Sequence, residues 1–407
     1  MSAISIQNVD VIFGSNTQKS LAMLDDGKNR QQIIDKTGDT VGVHNASIEI
    51  KAGEICVLMG LSGSGKSSLL RAINGLNETS RGKILVRDGE KMVDMANCDS
   101  ATLMHMRSKR ISMVFQNFAL MPWLNVLDNV AFGLEMQGMS KKERHVKAMH
   151  QLKLVGLDKW ADKLPNQLSG GMQQRVGLAR AFAMDTDILL MDEPFSALDP
   201  LIRTQLQDEL IELQQNMQKT IVFVSHDLDE ALKIGSKIGI MESAKIIQYD
   251  IPEEIVLNPA NAYVQDFVAH TNPLNVLKGH SLMTPIAELF EDEQGLHIDP
   301  KQNIKLLLDN HQQLVRITAN TLELSMQYCP DDQDISSLNP HAITLAPPDI
   351  NMRRAIEIKH HTGLPIILAL RDKVVGILND NNFYHALLGK HFSVDLNEPE
   401  QSTAKVI

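Results

Sequence analysis

The octet Gly60-Leu61-Ser62-Gly63-Ser64-Gly65-Lys66-Ser67 restricts the possible folds of this chain more than any other stretch. Residues 54–59, apolar from Ile55 onward, precede it, and residues 67–74 read as a helix behind it. An apolar run without alternation marks a strand buried on both faces of a parallel sheet. The glycines let the backbone curl so that successive N–H groups point inward, and the helix start adds partial positive charge. Strand, glycine-rich turn and helix together are the setting a phosphate-binding loop requires. Lys66 supplies a point charge for β- and γ-phosphates, and the Ser67 hydroxyl suits Mg²⁺.

A second signal, this one acidic, is Ile188-Leu189-Leu190-Met191-Asp192-Glu193. Four apolar residues end in two carboxylates at the carboxyl end of a buried strand, the edge where open α/β sheets bind ligands. Asp192 is suited to hold Mg²⁺ and Glu193 to polarise an attacking water. Further strands are expected at 4–13 (an edge strand), 41–50, 109–115 and 221–225, with a hairpin over 83–93 and mostly helix over 117–180. Strands alternating with helices predict an α/β core with a parallel sheet. The 407 residues suffice for two or three domains. A formal net charge of −11 argues against a general nucleic-acid binder, so no nucleic-acid partner is expected. The three dispersed cysteines, Cys56, Cys98 and Cys329, form neither a disulfide framework nor a metal spacing, which fits a reducing compartment. No signal peptide and no run approaching the ~18 apolar residues of a spanning helix are visible, so a cytoplasmic, peripheral protein is expected.

The octet Leu168-Ser169-Gly170-Gly171-Met172-Gln173-Gln174-Arg175 adds a hydroxyl and two glycines at a helix start. At this point the chain resembles the ATP-binding cassette (ABC) ATPases, over about residues 1–270. The resemblance implies a phosphate-loop nucleoside triphosphatase fold: a RecA-like parallel-sheet core, an antiparallel β subdomain and a helical subdomain at about 117–175. It implies that Gly60, Leu61, Ser62, Gly63, Ser64, Gly65, Lys66, Ser67 and Ser68 hold ATP. It also implies that Ser169, Gly170 and Gly171 of the second octet bind the γ-phosphate held by a second protomer, in a head-to-tail homodimer. Phe13 resembles the aromatic that stacks on adenine; a core phenylalanine is the other reading. Gln116 resembles the glutamine that touches Mg²⁺ and the attacking water, so the metal set is Ser67, Gln116 and Asp192. Ser196-Ala197-Leu198-Asp199 resembles the loop crossing between protomers, with Asp199 counted among the nucleotide contacts. His226 resembles the histidine at the γ-phosphate and the catalytic glutamate, giving Glu193, His226 and Gln116 as the catalytic set; a polar strand cap is the alternative for His226.

One cassette, without spanning helices or a long coiled-coil insertion, reads as a separate importer ATPase. The segments Phe118-Ala119-Leu120-Met121-Pro122 and Val224-Ser225-His226-Asp227-Leu228-Asp229-Glu230-Ala231 resemble the ATPase subunits of quaternary-amine importers, and Pro122-Trp123 and His270-Thr271-Asn272-Pro273 resemble the choline branch. Residues 15–40 form an insertion longer than most importer cassettes carry. The resemblance implies a membrane permease as partner, an external substrate-binding protein acting indirectly, and a place on the cytoplasmic face of the plasma membrane. Import of proline or carnitine, or a non-transport ATPase, are the alternatives. Phe118, Leu120, Met121, Pro122 and Trp123 are candidates for an apolar permease groove, or else plain core. Residues 271–407 resemble a smaller α+β CBS-like domain, regulatory or dimerising, through Asp349-Ile350-Asn351-Met352, Gly363-Leu364-Pro365-Ile366 and Asp372-Lys373-Val374-Val375-Gly376-Ile377. A second, weaker copy is expected within 281–323. Asn379 and Asn382 stand where a hydroxyl and an aspartate would hold an adenosine ribose, which weakens the expectation of a nucleotide there. A purely structural cap is the other reading of this tail.

Overall fold

The structure, a computed structural model, describes residues 1–388 except 270, 273, 275, 300, 310, 321, 331, 332 and 372. His270, Pro273 and Asp372 of the quoted motifs, and residues 389–407 of the expected tail domain, therefore lie outside the described residues. The chain divides into two compact units between Val268 and Ala269.

The first unit opens with β1 (Ser2–Phe13), the short helices α1 (Thr17–Asp25) and α2 (Arg30–Thr37), and β2 (Thr40–Lys51). β3 (Ile55–Met59) runs through the glycine-rich loop into α3 (Lys66–Ile73). The hairpin β4 (Arg81–Asp88) and β5 (Lys91–Asp94) is followed by α4 (Ser100–Lys109) and β6 (Ile111–Val114). Three helices come next, α5 (Val126–Met136), α6 (Lys141–Leu154) and α7 (Gly170–Ala183). The unit closes with β7 (Ile188–Asp192), α8 (Pro200–Met217), β8 (Thr220–Val224), α9 (Leu228–Ile234), β9 (Lys237–Glu242), β10 (Lys245–Asp250), α10 (Pro252–Leu257) and α11 (Ala262–Val268).

Two sheets organise these elements. Six strands in the order β10-β9-β3-β8-β7-β6 form the main sheet, parallel from β9 to β6 with β10 antiparallel at one edge. β3, β7 and β8 are buried at every position, which is why their sequences are apolar without alternation. The second sheet is antiparallel, in the order β2-β1-β4-β5. The expectation of an edge strand at the N-terminus is corrected here: β1 is interior, hydrogen-bonded to β2 on one side and β4 on the other. Register shifts between Ile6 and Val9 break its alternation, so burial on both faces is hidden from a period-2 reading. Leu69, Leu70 and Ile73 of α3 share one core with both sheets, including Ile4, Ile84, Leu190 and Val222. That shared core fixes α3, and with it the loop that starts it.

The second unit contains two five-stranded sheets. α12 (Gly279–Leu282) and β11 (Thr284–Pro285) precede the strands β12 (Glu291–Asp292), β13 (Gly295–Asp299), β14 (Ile304–Leu308), β15 (Leu314–Ala319) and β16 (Leu322–Glu323), an antiparallel meander. β17 (Met326–Tyr328), β18 (Ile343–Ala346), α13 (Met352–Thr362), β19 (Ile366–Leu370), β20 (Lys373–Leu378) and α14 (Asp380–Leu388) follow. The other sheet has the order β11-β20-β19-β18-β17, with β17, β18 and β19 parallel. Ile298, Leu306 and Ile317 of the meander pack with Ile343, Ile367 and Ile377. The second CBS copy expected within 281–323 is overturned: β11 pairs with β20, and from residue 291 the described residues form an antiparallel meander whose short turns leave no room for the crossover helix that parallel strands need.

Candidate functional site

The site lies at the carboxyl ends of four neighbouring strands. β3 leads to the glycine loop, β8 to Ser225 and His226, β7 to Asp192 and Glu193, and β6 to Gln116. A cleft of about 470 Å³ opens there, lined by Phe13, Lys66, Ser67, Gln116, Glu193 and His226, together with Arg30, Thr40, Gly42, Ser62, Gly63, Gly65 and Ser68. Gly65 has φ +106°, and a Cβ there would stand 2.2 Å from the Gly42 carbonyl oxygen. A Cβ on Gly60, at φ +141°, would stand 2.1 Å from the Met241 carbonyl oxygen. Only glycine fits either place, so the loop curls tightly and its backbone N–H groups form a cradle.

Lys66 is buried, and its Nζ donates to the carbonyl oxygens of Gly60 at 2.8 Å and Leu61 at 3.0 Å. Burial pushes its ammonium pKa below the ordinary value, and the carboxylates of Glu193 and Asp192 oppose that shift. Ser67 Oγ donates to Asp192 Oδ1 at 2.7 Å. Asp192 is fully buried, and Arg71 Nη2 donates to its Oδ2 at 2.9 Å. Two hard oxygen groups side by side under the phosphate cradle are the donor types that suit a Mg²⁺ ion. Among the described residues no group of three His, Cys, Asp or Glu side chains is placed to hold a metal by itself.

Glu193 occupies the left-handed region at φ +48°, a strained position for a residue with a Cβ. Its N–H donates to the Val224 carbonyl at 3.1 Å, and its own carbonyl accepts from Ser196 Oγ at 3.0 Å and Gln174 Nε2 at 3.4 Å. The carboxylate faces Gln116, whose Nε2 donates to Oε2 at 3.4 Å, and His226, whose Nδ1 lies 3.5 Å from the same oxygen. The His226 side chain is 64% exposed, so it projects into the cleft rather than capping a strand. Phe13 lies against Gly42, where an added Cβ would come within 2.5 Å of ring atom Cε2; the residue is 42% exposed and lines the cleft instead of the core.

The other expected residues lie elsewhere in this chain. Ser169 caps α7, accepting from Met172 N at 3.4 Å, and a Cβ on Gly170 would meet no heavy atom within 4 Å. Asp199 caps α8, accepting from Ile202 N at 3.1 Å. Among the described residues, Ser169, Gly170, Gly171 and Asp199 do not line the cleft. Of the five groove candidates only Met121 borders the apolar groove of about 380 Å³, which Met104, Phe115, Phe132, Met136 and Met184 line; Trp123 is 74% exposed. Three residues were missed from sequence. Arg71 had a signal, four positions after Ser67 on one helix face. Gln174 and Arg30 had none, because they reach Glu193 and Gly63 only through tertiary contact.

Sheet order and glycine cradle place the first unit in the class of phosphate-loop nucleotide-binding proteins. A profile for "ABC transporter" matches residues 43–196. The chain belongs to the ABC transporter family and groups with the ATP-binding proteins of its quaternary-amine importers. It is 53% identical to the glycine betaine/proline betaine transport system ATP-binding protein ProV of Escherichia coli, over 65% of each chain. It is 41% identical to the glycine betaine transport ATP-binding protein OpuAA of Bacillus subtilis, over 94% of this chain and 93% of that one. The glycine betaine/carnitine transport ATP-binding protein GbuA of Listeria monocytogenes is 39% identical, over 97% of this chain and all of its own length. Among solved structures, a dimeric ATP-binding cassette in a post-hydrolysis state with ADP and Pi matches 61% of this chain and 98% of its own, with 30% identity and a TM-score of 0.53.

Proposed function

We propose that this protein is the ATP-hydrolysing subunit of an importer for a small quaternary amine, glycine betaine or choline. The full-length similarity to two glycine betaine transport ATP-binding proteins is the observation that carries this reading. ATP lies in the cleft with adenine against Phe13 and phosphates on the loop. Lys66 turns from its loop carbonyls to the phosphate chain. Ser67 and Asp192 would hold Mg²⁺, which would supply positive charge to neutralise the phosphates. Glu193 accepts a proton from the attacking water, Gln116 orients that water, and His226 faces the γ-phosphate.

The exposed cap at Ser169, which is not among the residues lining its own cleft, supports a head-to-tail homodimer in which each signature helix completes the partner's site. The apolar groove beside α4 and α5 supports docking of a permease helix. Among the described residues no helix is long and apolar enough to cross a membrane, so attachment through a permease at the cytoplasmic face is the proposed location. The second unit is proposed as a degenerate CBS-like regulatory or dimerising module. The succession β18-α13-β19-β20-α14 supports it. Asn382 Nδ2 donates to the Leu282 carbonyl at 2.6 Å and to Thr284 Oγ1 at 3.2 Å, and Asn379 Oδ1 accepts from Asn381 N at 3.1 Å. Those internal bonds support a module without nucleotide.

The test is ATP turnover by the intact complex, reconstituted with its binding protein, in the presence of glycine betaine, choline, proline, carnitine or no amine. Stimulation by glycine betaine or choline supports the proposal and separates the two. Stimulation by proline or carnitine alone, or turnover unmoved by every solute, refutes it.

A further inference from the structure

β1 and β2 pair up to Phe13 opposite Thr40, so a short turn would have sufficed to join them. The chain instead inserts α1 and α2 there, and this element is firmly built. Asn29 and Gln32 form a reciprocal cap on α2, and Gly38 ends it in the left-handed region. Buried Asp39 accepts from Ser20 Oγ at 2.7 Å, and Leu21, Leu24 and Ile33 pack against Ile12, Val41 and Ala244. The insertion thus sets the first residue of α2, Arg30, in a fixed place. Arg30 Nη1 donates to the Gly63 carbonyl at 2.7 Å, on the phosphate loop itself. Its Nε is buried with no hydrogen-bond partner among the described residues. Arg30 and Lys66 are the two Arg or Lys residues among those lining the cleft. A guanidinium has five N–H donors in a planar fork that matches phosphate oxygens, and one of them is used on Gly63.

We propose that Arg30 is a second cationic nucleotide-binding residue, supplied by the α1–α2 insertion, whose remaining donors bond the phosphate chain of the bound nucleotide. The proposal rests on the reading of the cleft as an ATP site. A fluorescent ATP analogue, with ADP as competitor, is titrated against the purified full chain and its Arg30→Ala, Arg30→Gln, Arg30→Lys and Lys66→Ala variants. Arg30→Ala is expected to weaken ATP and ADP about 10-fold, as for loss of a charge-assisted hydrogen bond at a part-exposed site. Arg30→Gln keeps a donor for Gly63 without the charge, so the fold is kept and the same loss is expected. Arg30→Lys is expected to fall between it and the parent. Parent-like affinity in Arg30→Gln or Arg30→Ala overturns the proposal. Loss of binding in Lys66→Ala with no loss in the Arg30 variants sinks this proposal alone, whereas tight binding in Lys66→Ala sinks the ATP-site reading beneath it.

Discussion

Removing Arg71 tests how the buried carboxylate of Asp192 is tolerated. Arg71 Nη2 stands 2.9 Å from Asp192 Oδ2, and the carboxylate is fully buried. At an effective dielectric constant of 20, that separation corresponds to about 6 kcal/mol of attraction. Breaking a buried pair by deleting one partner typically costs about 3–5 kcal/mol. The Arg71 side chain is 40% exposed, so water replaces part of its interaction, and Ser67 Oγ still serves the other carboxylate oxygen. We therefore expect Arg71→Ala to cost about 2–3 kcal/mol, below the fully buried case. The assay is urea unfolding followed by tryptophan fluorescence, because both tryptophans, Trp123 and Trp160, lie in the first unit. A double-mutant cycle with Asp192→Asn isolates the pair: the double variant is expected to be more stable than the sum of the single losses by about 1.5–2 kcal/mol. Additivity within about 0.5 kcal/mol would refute the claim that Arg71 compensates this charge.

Four further outcomes are expected. Glu193→Gln should bind ATP within about two-fold of the parent yet lose about 10²–10⁴-fold in turnover, and near-normal turnover removes Glu193 from the role of base. Phe13→Ala should weaken binding of ATP about 10-fold through lost base stacking, and an unchanged affinity returns Phe13 to a packing role. Burial pushes the Cys56 thiol up to about 12. At pH 8 a thiol reagent should therefore modify the half-buried Cys98 first and reach Cys56 and Cys329 only on unfolding; early labelling of Cys56 contradicts the burial. Lys305 and His297 hold the Asp292 carboxyl well below the usual range. That contribution is complete above about pH 5 and is lost as pH falls through the depressed folded value, so Asp292→Asn should flatten the acid limb of the second unit's unfolding midpoint; an unchanged limb removes the network.

The phosphate loop, the acidic strand end and the signature helix were legible because each is contiguous: an apolar strand, a turn and a helix start adjoin in the chain. Even Arg71 was within reach, one helical turn from Ser67. Partnership between distant segments was not. The two-sided pairing that makes β1 an interior strand, the bond from Gln174 to the Glu193 carbonyl, and the side chains that border the apolar groove all depend on how elements meet. The meander over residues 291–323 was misread because short apolar runs alone do not say whether the next element is a hairpin partner or a crossover helix.

Local backbone chemistry thus determined which segments could cradle phosphate, since the positive φ that glycine permits at Gly60 and Gly65 and the helix start at Lys66 are set within the loop; the close approach of the Met241 and Gly42 carbonyls to those glycines came with the tertiary structure. The tertiary structure alone decided what surrounds that cradle. Parallel pairing of β3, β8, β7 and β6 brings Gln116, Glu193 and His226 to one edge, and the inserted helices bring Arg30 to Gly63. The physical reason is range: dihedral preferences and capping act over a few residues, whereas hydrogen bonds and charge pairs across 33 to 125 positions form only when a shared apolar core fixes the strand order.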